Sequence, residues 1–124
     1  MKSNFQKLLV WQKAMIFVVE IYKLTEKFPA SEKFGLVSQM QRAAVSIPSN
    51  IAEGYERKSK KDFAHFLVIA KSSAAELETQ ILVALMLKYL TKEKSENLVQ
   101  KVVELKKMLS ALRKKVLQPT ATNY

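Results

Sequence analysis

The sequence predicts an all-α fold: an up-down antiparallel four-helix bundle with a proline-interrupted second helix. Apolar residues recur every three or four positions along four long segments, the spacing of one face of an α-helix. The chain of 124 residues has only two glycines and three prolines, too few turn-formers for the many connections of a β-sandwich or barrel. Short connections between such helices make neighbouring helices antiparallel.

Segment A is predicted to be a helix from about Leu8 to Lys27. Its end is marked by Phe28-Pro29, because proline disfavours a helical conformation in the residue before it. Ser31 then offers an N-cap for the next helix. The apolar face of segment A consists of Trp11, Ala14, Met15, Phe17, Val18, Ile21 and Tyr22.

Segment B, about Ser31 to Lys58, contains Pro48 within an otherwise helical pattern. Proline cannot donate the amide hydrogen bond to the carbonyl of Ala44, so we expect a kink or a short break there. Gly54 lies near the end of the segment.

Segment C begins at Ser59, which is followed three residues later by Asp62. This spacing is close to a capping box, and an acidic residue in the first turn favours the helix dipole. The helical pattern continues to about Leu90 and is rich in small residues, which allow close approach of a neighbouring helix.

Segment D follows Thr91, a predicted N-cap, and carries apolar residues at alternating spacings of four and three. This is a heptad pattern, typical of a helix that packs along a seam. We expect residues 118–124 to form a frayed tail. The seam residues are Leu98, Val102, Leu105, Leu109, Leu112 and Val116.

Length and composition indicate one folded domain over residues 1–124. Apolar residues make up 48% of the chain and charged residues 26%, which is ordinary globular usage. The net charge of +10 is large for this size and attracts polyanions. Its distribution is uneven, with +3 in residues 1–30, +1 in each of 31–58 and 59–90, and +5 in 91–124.

The composition also restricts the expected cellular compartment and the kinds of site that the chain can form. The chain has no cysteine, hence no disulfide and no thiolate metal site, and we expect a cytoplasmic protein. The apolar start of the chain is cut by Gln12, Lys13 and Glu20, so it does not predict a secretory signal. The uncharged runs of segment C are too short to span a bilayer, so we expect no membrane association.

A line of polar residues on segment B interrupts the apolar pattern. Two interpretations stay open. In the first, the side chains form ion pairs or hydrogen bonds within the bundle or between subunits, with Glu76 or Glu78 as partners. In the second, they line a groove that faces a ligand. This polar stripe consists of Arg42, Ser46, Asn50, Glu53 and Arg57.

Two basic clusters are candidates for contact with nucleic-acid phosphates, which would give salt-dependent binding with little sequence preference. A solvated basic face is the alternative interpretation. The candidate residues are Arg57, Lys58, Lys60 and Lys61 in the first cluster, and Lys106, Lys107, Arg113, Lys114 and Lys115 in the second.

Catalysis finds little support in the sequence. His65 is the single histidine and has no partner at metal-ligand spacing, and the chain has no glycine-rich phosphate loop. Ser72 and Ser73 lie in a helical segment without an identifiable base. Trp11 and Tyr55 are at core spacing, not in a base-stacking pattern. We therefore predict a protein that is not an enzyme and needs no cofactor.

Several strings resemble the four-helix-bundle family named for proteins encoded in intervening sequences of bacterial 23S rRNA genes, also called the S23 ribosomal protein family. The most specific string is Ser-Ile-Pro-Ser-Asn-Ile-Ala-Glu-Gly at residues 46–54, and the likeness extends through Leu90. The other strings are residues 9–14, 34–36, 39–43 and 66–70. In the family a Gly-Ser pair usually stands where this chain has Ser72-Ser73.

The resemblance implies a homo-oligomer, pentameric in this family, that is similar to the accessory protein of diversity-generating retroelements, which engages RNA and a reverse transcriptase. It also implies that the family's polar positions correspond here to the polar stripe together with Gly54. We therefore expect an oligomeric scaffold that binds RNA or another nucleic acid. The alternative is an adaptor whose basic surface meets an acidic protein partner.

Overall fold

The computed structural model describes residues 4–119, and in that range the chain forms four α-helices and no strand. The helices are α1 (Leu9–Thr25), α2 (Leu36–Tyr55), α3 (Lys60–Met86) and α4 (Lys92–Leu117). Short 3₁₀ turns precede α1 at Asn4–Lys7 and α2 at Ala30–Glu32. The all-α prediction is confirmed.

Each helix packs against the helices next to it in the sequence, and α4 also contacts α1, which closes the bundle. The contacts run antiparallel: Ser46 of α2 faces Ser73 of α3, and Gly54 faces Phe66. The bundle is therefore the up-down arrangement that the short connections predicted. No helix within residues 4–119 is long and apolar enough to cross a membrane.

The core is built from most of the predicted apolar faces, but Met15 and Tyr22 of the predicted face of α1 are exposed. Phe17 and Ile21 of α1 and Met40 and Ile51 of α2 are buried. The heptad seam of α4 is buried at Leu98, Val102, Leu105, Leu109 and Val116, and Leu112 packs against the same core. Burial of these faces is the main favourable term for folding, at roughly 25 cal/mol per Å² of apolar surface.

Pro48 lies inside α2, which is helical on both sides of it. The interruption is therefore limited to the one amide hydrogen bond that proline lacks, and the helix is not split in two. Pro48 is itself buried, so packing offsets the lost hydrogen bond.

The two predicted serine and threonine caps are confirmed. The Ser59 hydroxyl accepts a hydrogen bond from the Asp62 amide at 3.0 Å, and the Thr91 hydroxyl accepts one from the Lys94 amide at 3.2 Å. Each satisfies an amide that has no partner within the first turn of its helix.

The prediction that Ser31 caps the second helix is wrong. Ser31 lies in the 3₁₀ turn, and α2 begins five residues later at Leu36, with Gly35 at the N-cap position. The carboxylate of Glu32 takes over the capping role, because its Oε1 accepts a hydrogen bond from the Leu36 amide at 3.2 Å.

Glu32 also connects this turn to Tyr89, in the segment that follows α3. The Tyr89 hydroxyl donates to Oε2 of Glu32 at 2.8 Å, and the Tyr89 ring packs against Phe28 with 5.3 Å between ring centroids. The hydrogen bond to Glu32, then burial, then the negative charge of Glu32 raise the pKa of Tyr89 above its ordinary value of 10.0.

Helix α3 ends at Met86, four residues before the predicted Leu90. Lys88 adopts the left-handed conformation, with φ of 66°. The Lys88 amide then donates to the carbonyl of Leu85, and the Tyr89 amide donates to the carbonyl of Ala84, each at 2.9 Å. This pair of bonds is a Schellman motif, in which glycine is the usual left-handed residue.

Candidate functional site

The antiparallel topology places four helix ends together: the beginnings of α1 and α3 and the ends of α2 and α4. A direct contact shows the juxtaposition, because the ammonium group of Lys60 donates a hydrogen bond to the carbonyl oxygen of Gln118 at 3.4 Å. These two residues are 58 positions apart in the sequence. The turn between α2 and α3 therefore lies beside the end of α4.

Among residues 4–119, eight exposed basic residues lie at this end of the bundle, which we call the basic end. Three acidic residues, Glu53, Glu56 and Asp62, lie near them, so the local excess is five positive charges. The basic end joins most of both predicted phosphate-contact clusters into one surface. Its members are Lys7, Arg57, Lys58, Lys60, Lys61, Arg113, Lys114 and Lys115.

The opposite end of the bundle is much closer to neutral. Its local excess is two positive charges, although it has six lysines. The basic end is thus a local concentration of charge and not a reflection of the net charge alone. The charged residues of the opposite end are Lys23, Lys27, Lys33, Lys88, Lys92 and Lys94, with Glu26, Glu32, Glu93 and Glu96.

Two of the basic positions also have a structural role. Lys114 and Lys115 lie in the last turn of α4, where positive charge interacts favourably with the helix dipole. This effect is worth only about 0.3–1 kcal/mol at an exposed site and leaves the ammonium groups accessible.

Lys106 and Lys107 lie in the middle of α4, away from the basic end. The side chain of Lys106 is only 26% exposed and forms an ion pair with Glu78 of α3 at 2.7 Å. The structure therefore does not bring these two lysines into one surface with the other candidates. Lys106 joins α3 to α4.

The middle of the polar stripe lies in the contact between α2 and α3. The hydroxyl groups of Ser46 and Ser73 are 2.8 Å apart and hydrogen-bonded. The side-chain amide of Asn50 donates to the carbonyl oxygen of Ser46 at 2.8 Å and to its hydroxyl oxygen at 2.9 Å. These half-buried groups satisfy one another, which supports the structural interpretation of this part of the stripe.

The two ends of the stripe differ from its middle. Arg42 is exposed and forms no ion pair with any residue in 4–119. Glu53 accepts a hydrogen bond from Arg57 at 2.8 Å, which places this ion pair at the edge of the basic end. The carboxylates expected as partners bond elsewhere: Glu78 pairs with Lys106, and Glu76 accepts from Gln80 at 3.2 Å.

Ser72 and Ser73 point in different directions. Ser72 is exposed, and its hydroxyl donates to the carbonyl of Val68 one turn earlier at 3.0 Å. Only Ser73 faces α2. An outward-facing Ser72 leaves the close packing of α2 and α3 undisturbed.

The remaining aromatic candidates lie at the surface or at its margin. Trp11 is half-buried and packs edge-to-face against Phe5, with 5.5 Å between ring centroids, at an open apolar groove between α1 and α2. Its predicted core position is thus at the core's edge. His65 is exposed, with its ring centroid 5.9 Å from that of Phe66. No cluster of three potential metal ligands occurs within residues 4–119.

A groove of about 940 Å³ between α1 and α4 was not predicted from the sequence. Ion pairs span the two helices, from Lys101 to Glu20 at 2.8 Å and from Lys13 to Glu104. Ile16 lines the groove and is 71% exposed. Hydrophobic periodicity shows which face of α1 is apolar but not how far α1 stands from α4, so the sequence carries no signal for this groove.

Comparison with known proteins finds a matching family model and a similar solved structure. A sequence model of the family described as 23S rRNA-intervening sequence protein matches residues 6–111. Among solved structures, the chain is similar to a protein of unknown function from the S23 ribosomal protein family of Bacteroides thetaiotaomicron VPI-5482, with a TM-score of 0.79 and 30% identity. That similarity covers 86% of this chain and 96% of the other. No protein with a curated description matches this chain.

Proposed function

The chain belongs to the 23S rRNA-intervening sequence protein family, and we propose that it is a non-enzymatic cytoplasmic scaffold that binds RNA through its basic end. Membership of the family confirms the resemblance described from the sequence. The observation that supports the proposal most is the contact between Lys60 and Gln118, which joins two separate basic clusters into one exposed surface.

The physical argument is electrostatic. Lysine and arginine side chains that neutralise phosphates release condensed counterions, and this release favours binding of any polyanionic strand. A local excess of five positive charges over one end of a small bundle concentrates that effect. Such contacts position a nucleic acid without reading its bases, so the proposed binding tolerates many sequences.

Fluorescence anisotropy tests the proposal with a labelled RNA hairpin at increasing salt concentration. We expect binding at low salt and an affinity that falls steeply as salt rises. A wild-type protein that fails to bind the hairpin at low salt would overturn the proposal.

The second candidate function is an adaptor that uses the same basic end to bind an acidic protein. Charge complementarity alone does not separate a carboxylate-rich surface from a phosphate backbone. Nuclease treatment does, because an adaptor complex survives it and an RNA-mediated complex does not. The alternative therefore predicts stable association with an acidic protein in nuclease-treated lysate, together with weak binding to purified RNA.

We also propose that copies of the chain assemble into a homo-oligomer, a pentamer by analogy with the resemblance drawn from the sequence. The support is exposed apolar surface on two helices, which a monomer leaves in contact with water. Light scattering at micromolar concentration tests this, and a mass of 14.2 kDa would contradict it. The exposed residues are Met15, Ile16, Val19 and Tyr22 on α1, Leu82, Val83 and Met86 on α3, and Leu87 directly after α3.

A further inference from the structure

Arg57 differs from the other cations of the basic end in what lies beneath it. Its Cζ atom is 4.7 Å from the centroid of the Phe66 ring, so one side of the guanidinium group rests on an aromatic face. Its Nη2 donates to Glu53 at 2.8 Å. Two independent contacts therefore hold the guanidinium group in place, although 45% of the side chain stays exposed.

The aromatic ring under Arg57 is itself fixed. Phe66 is half-buried, and its Cβ lies next to the backbone of Gly54, at a close approach of α2 and α3. The preceding turn is anchored by Phe63, whose ring packs edge-to-face on Tyr55 with centroids 5.6 Å apart. Contacts between α2 and α3 hold the Phe66 ring in place. The ring therefore moves little on binding, and less entropy is lost when a ligand contacts the guanidinium group above it.

Charge does not explain why an arginine stands at this position. Arg57 is paired with Glu53, whereas Lys58 and Lys61 beside it form no ion pair in the described part of the chain. What Arg57 offers in addition is a flat, weakly hydrated surface. Flat guanidinium and aromatic surfaces stack on nucleobases that are not covered by neighbouring bases.

We propose that Arg57, supported by Phe66, is a stacking site for an unpaired base, so that the basic end prefers single-stranded nucleotides to a duplex. The inference rests on the proposed nucleic-acid binding and specifies the class of ligand. Lys58 and Lys61 neutralise the phosphates that flank the stacked base. In a duplex the faces of the bases are covered by their neighbours, so the stacking contact is lost there and only the phosphate contacts remain.

The test measures the affinity of three proteins for two probes at one fixed salt concentration. One probe is a labelled single strand of RNA of about 12 nucleotides, within the range of single-strand site sizes. The other is the same strand paired with its complement. The proteins are wild type, Arg57→Lys and Arg42→Lys. Both substitutions keep the charge and remove the planar group, and Arg42 lies outside the basic end with no aromatic ring beneath it among the described residues.

We expect Arg57→Lys to weaken binding of the single strand about fivefold or more, as for the loss of one stacked base, and to change duplex binding less than twofold. Arg42→Lys should change neither. Circular dichroism of each variant verifies that the fold is unchanged. An equal effect of Arg57→Lys on both probes, or no effect on either, would overturn the stacking site. A wild-type protein that binds neither probe would overturn the proposed function as well.

Discussion

Gly54 of α2 and Phe66 of α3 approach so closely that no side chain fits between them. A Cβ atom placed on Gly54 would lie 2.6 Å from the Cβ of Phe66 and 3.0 Å from Cδ1 of Phe63. The Cβ of Phe66 is attached to the helix backbone and cannot rotate away. Gly54 therefore sets the spacing of α2 and α3, and that spacing positions Phe66 beneath Arg57.

Gly54→Ala is expected to lower the free energy of unfolding by about 1–3 kcal/mol, the usual cost of overpacking. The sign of the change in unfolding free energy distinguishes a crowded position from an open one, because Gly→Ala at an open helix position stabilises by about 0.5–1 kcal/mol. Urea denaturation measures the difference. Ser49→Ala, an exposed position on the same helix, is the control and should change stability by less than about 0.5 kcal/mol. A Gly54→Ala protein more stable than wild type would contradict the close approach.

Lys88→Gly is expected to stabilise the protein by about 1 kcal/mol, because a non-glycine residue in the left-handed region is strained by roughly that amount. Thermal unfolding followed by circular dichroism measures the shift. Lys71→Gly, in the exposed middle of α3, should instead destabilise by about 1 kcal/mol. If both substitutions destabilised alike, the Schellman motif at the end of α3 would be disproved.

Ser59→Ala is expected to destabilise by about 1 kcal/mol, since it removes the hydrogen bond to the Asp62 amide at the start of α3. Ser72→Ala removes a hydroxyl whose hydrogen bond, among residues 4–119, is to its own helix, and it should have no destabilising effect. Chemical denaturation of both variants provides the comparison. Equal losses at the two serines would argue against the capping role of Ser59.

Tyr89→Phe is expected to make stability less sensitive to alkaline pH. The pKa of Tyr89 is raised in the folded protein, so its stabilising hydrogen bond to Glu32 is present in full below pH 10, the ordinary pKa, and is lost as the pH rises above it. Wild type should therefore lose more Tm above pH 10 than Tyr89→Phe loses. Tyr22→Phe, at an exposed tyrosine, should behave like wild type. Parallel Tm curves for all three proteins would refute the contribution of this hydrogen bond.

Local signals in the sequence predicted local structure well. Ser59 and Thr91 cap the helices that follow them, and the spacing of Leu98 and Leu105 identified the buried seam of α4. Ser31 failed as a cap because Glu32, one residue later, bonds both the Leu36 amide and Tyr89, and the second bond reaches across the fold. The sequence has no glycine or proline near Met86, so the early end of α3 could not be predicted.

The candidate site required contacts between helices, which periodicity alone does not specify. Antiparallel packing implied that the turn after α2 lies near the end of α4, and the contact of Lys60 with Gln118 agrees. The pairing of Lys106 with Glu78 depends on the register between α3 and α4, which no residue spacing within one helix reveals. The position of Arg57 on Phe66 likewise depends on the approach at Gly54.

The salt dependence of RNA affinity tests the central claim most directly when two variants of equal net charge are compared. One replaces Lys58, Lys61, Lys114 and Lys115 of the basic end with glutamine. The other makes the same replacement at the opposite end of the bundle, at Lys27, Lys33, Lys92 and Lys94.

We predict that the first variant loses most of its affinity for RNA at low salt and that its slope of log affinity against log salt is shallower by up to about three, as for four lost phosphate contacts with a single strand. The second variant should keep nearly the wild-type affinity and slope. Equal losses in the two variants would contradict the account, because binding would then follow net charge and not the surface formed where α3 begins and α4 ends.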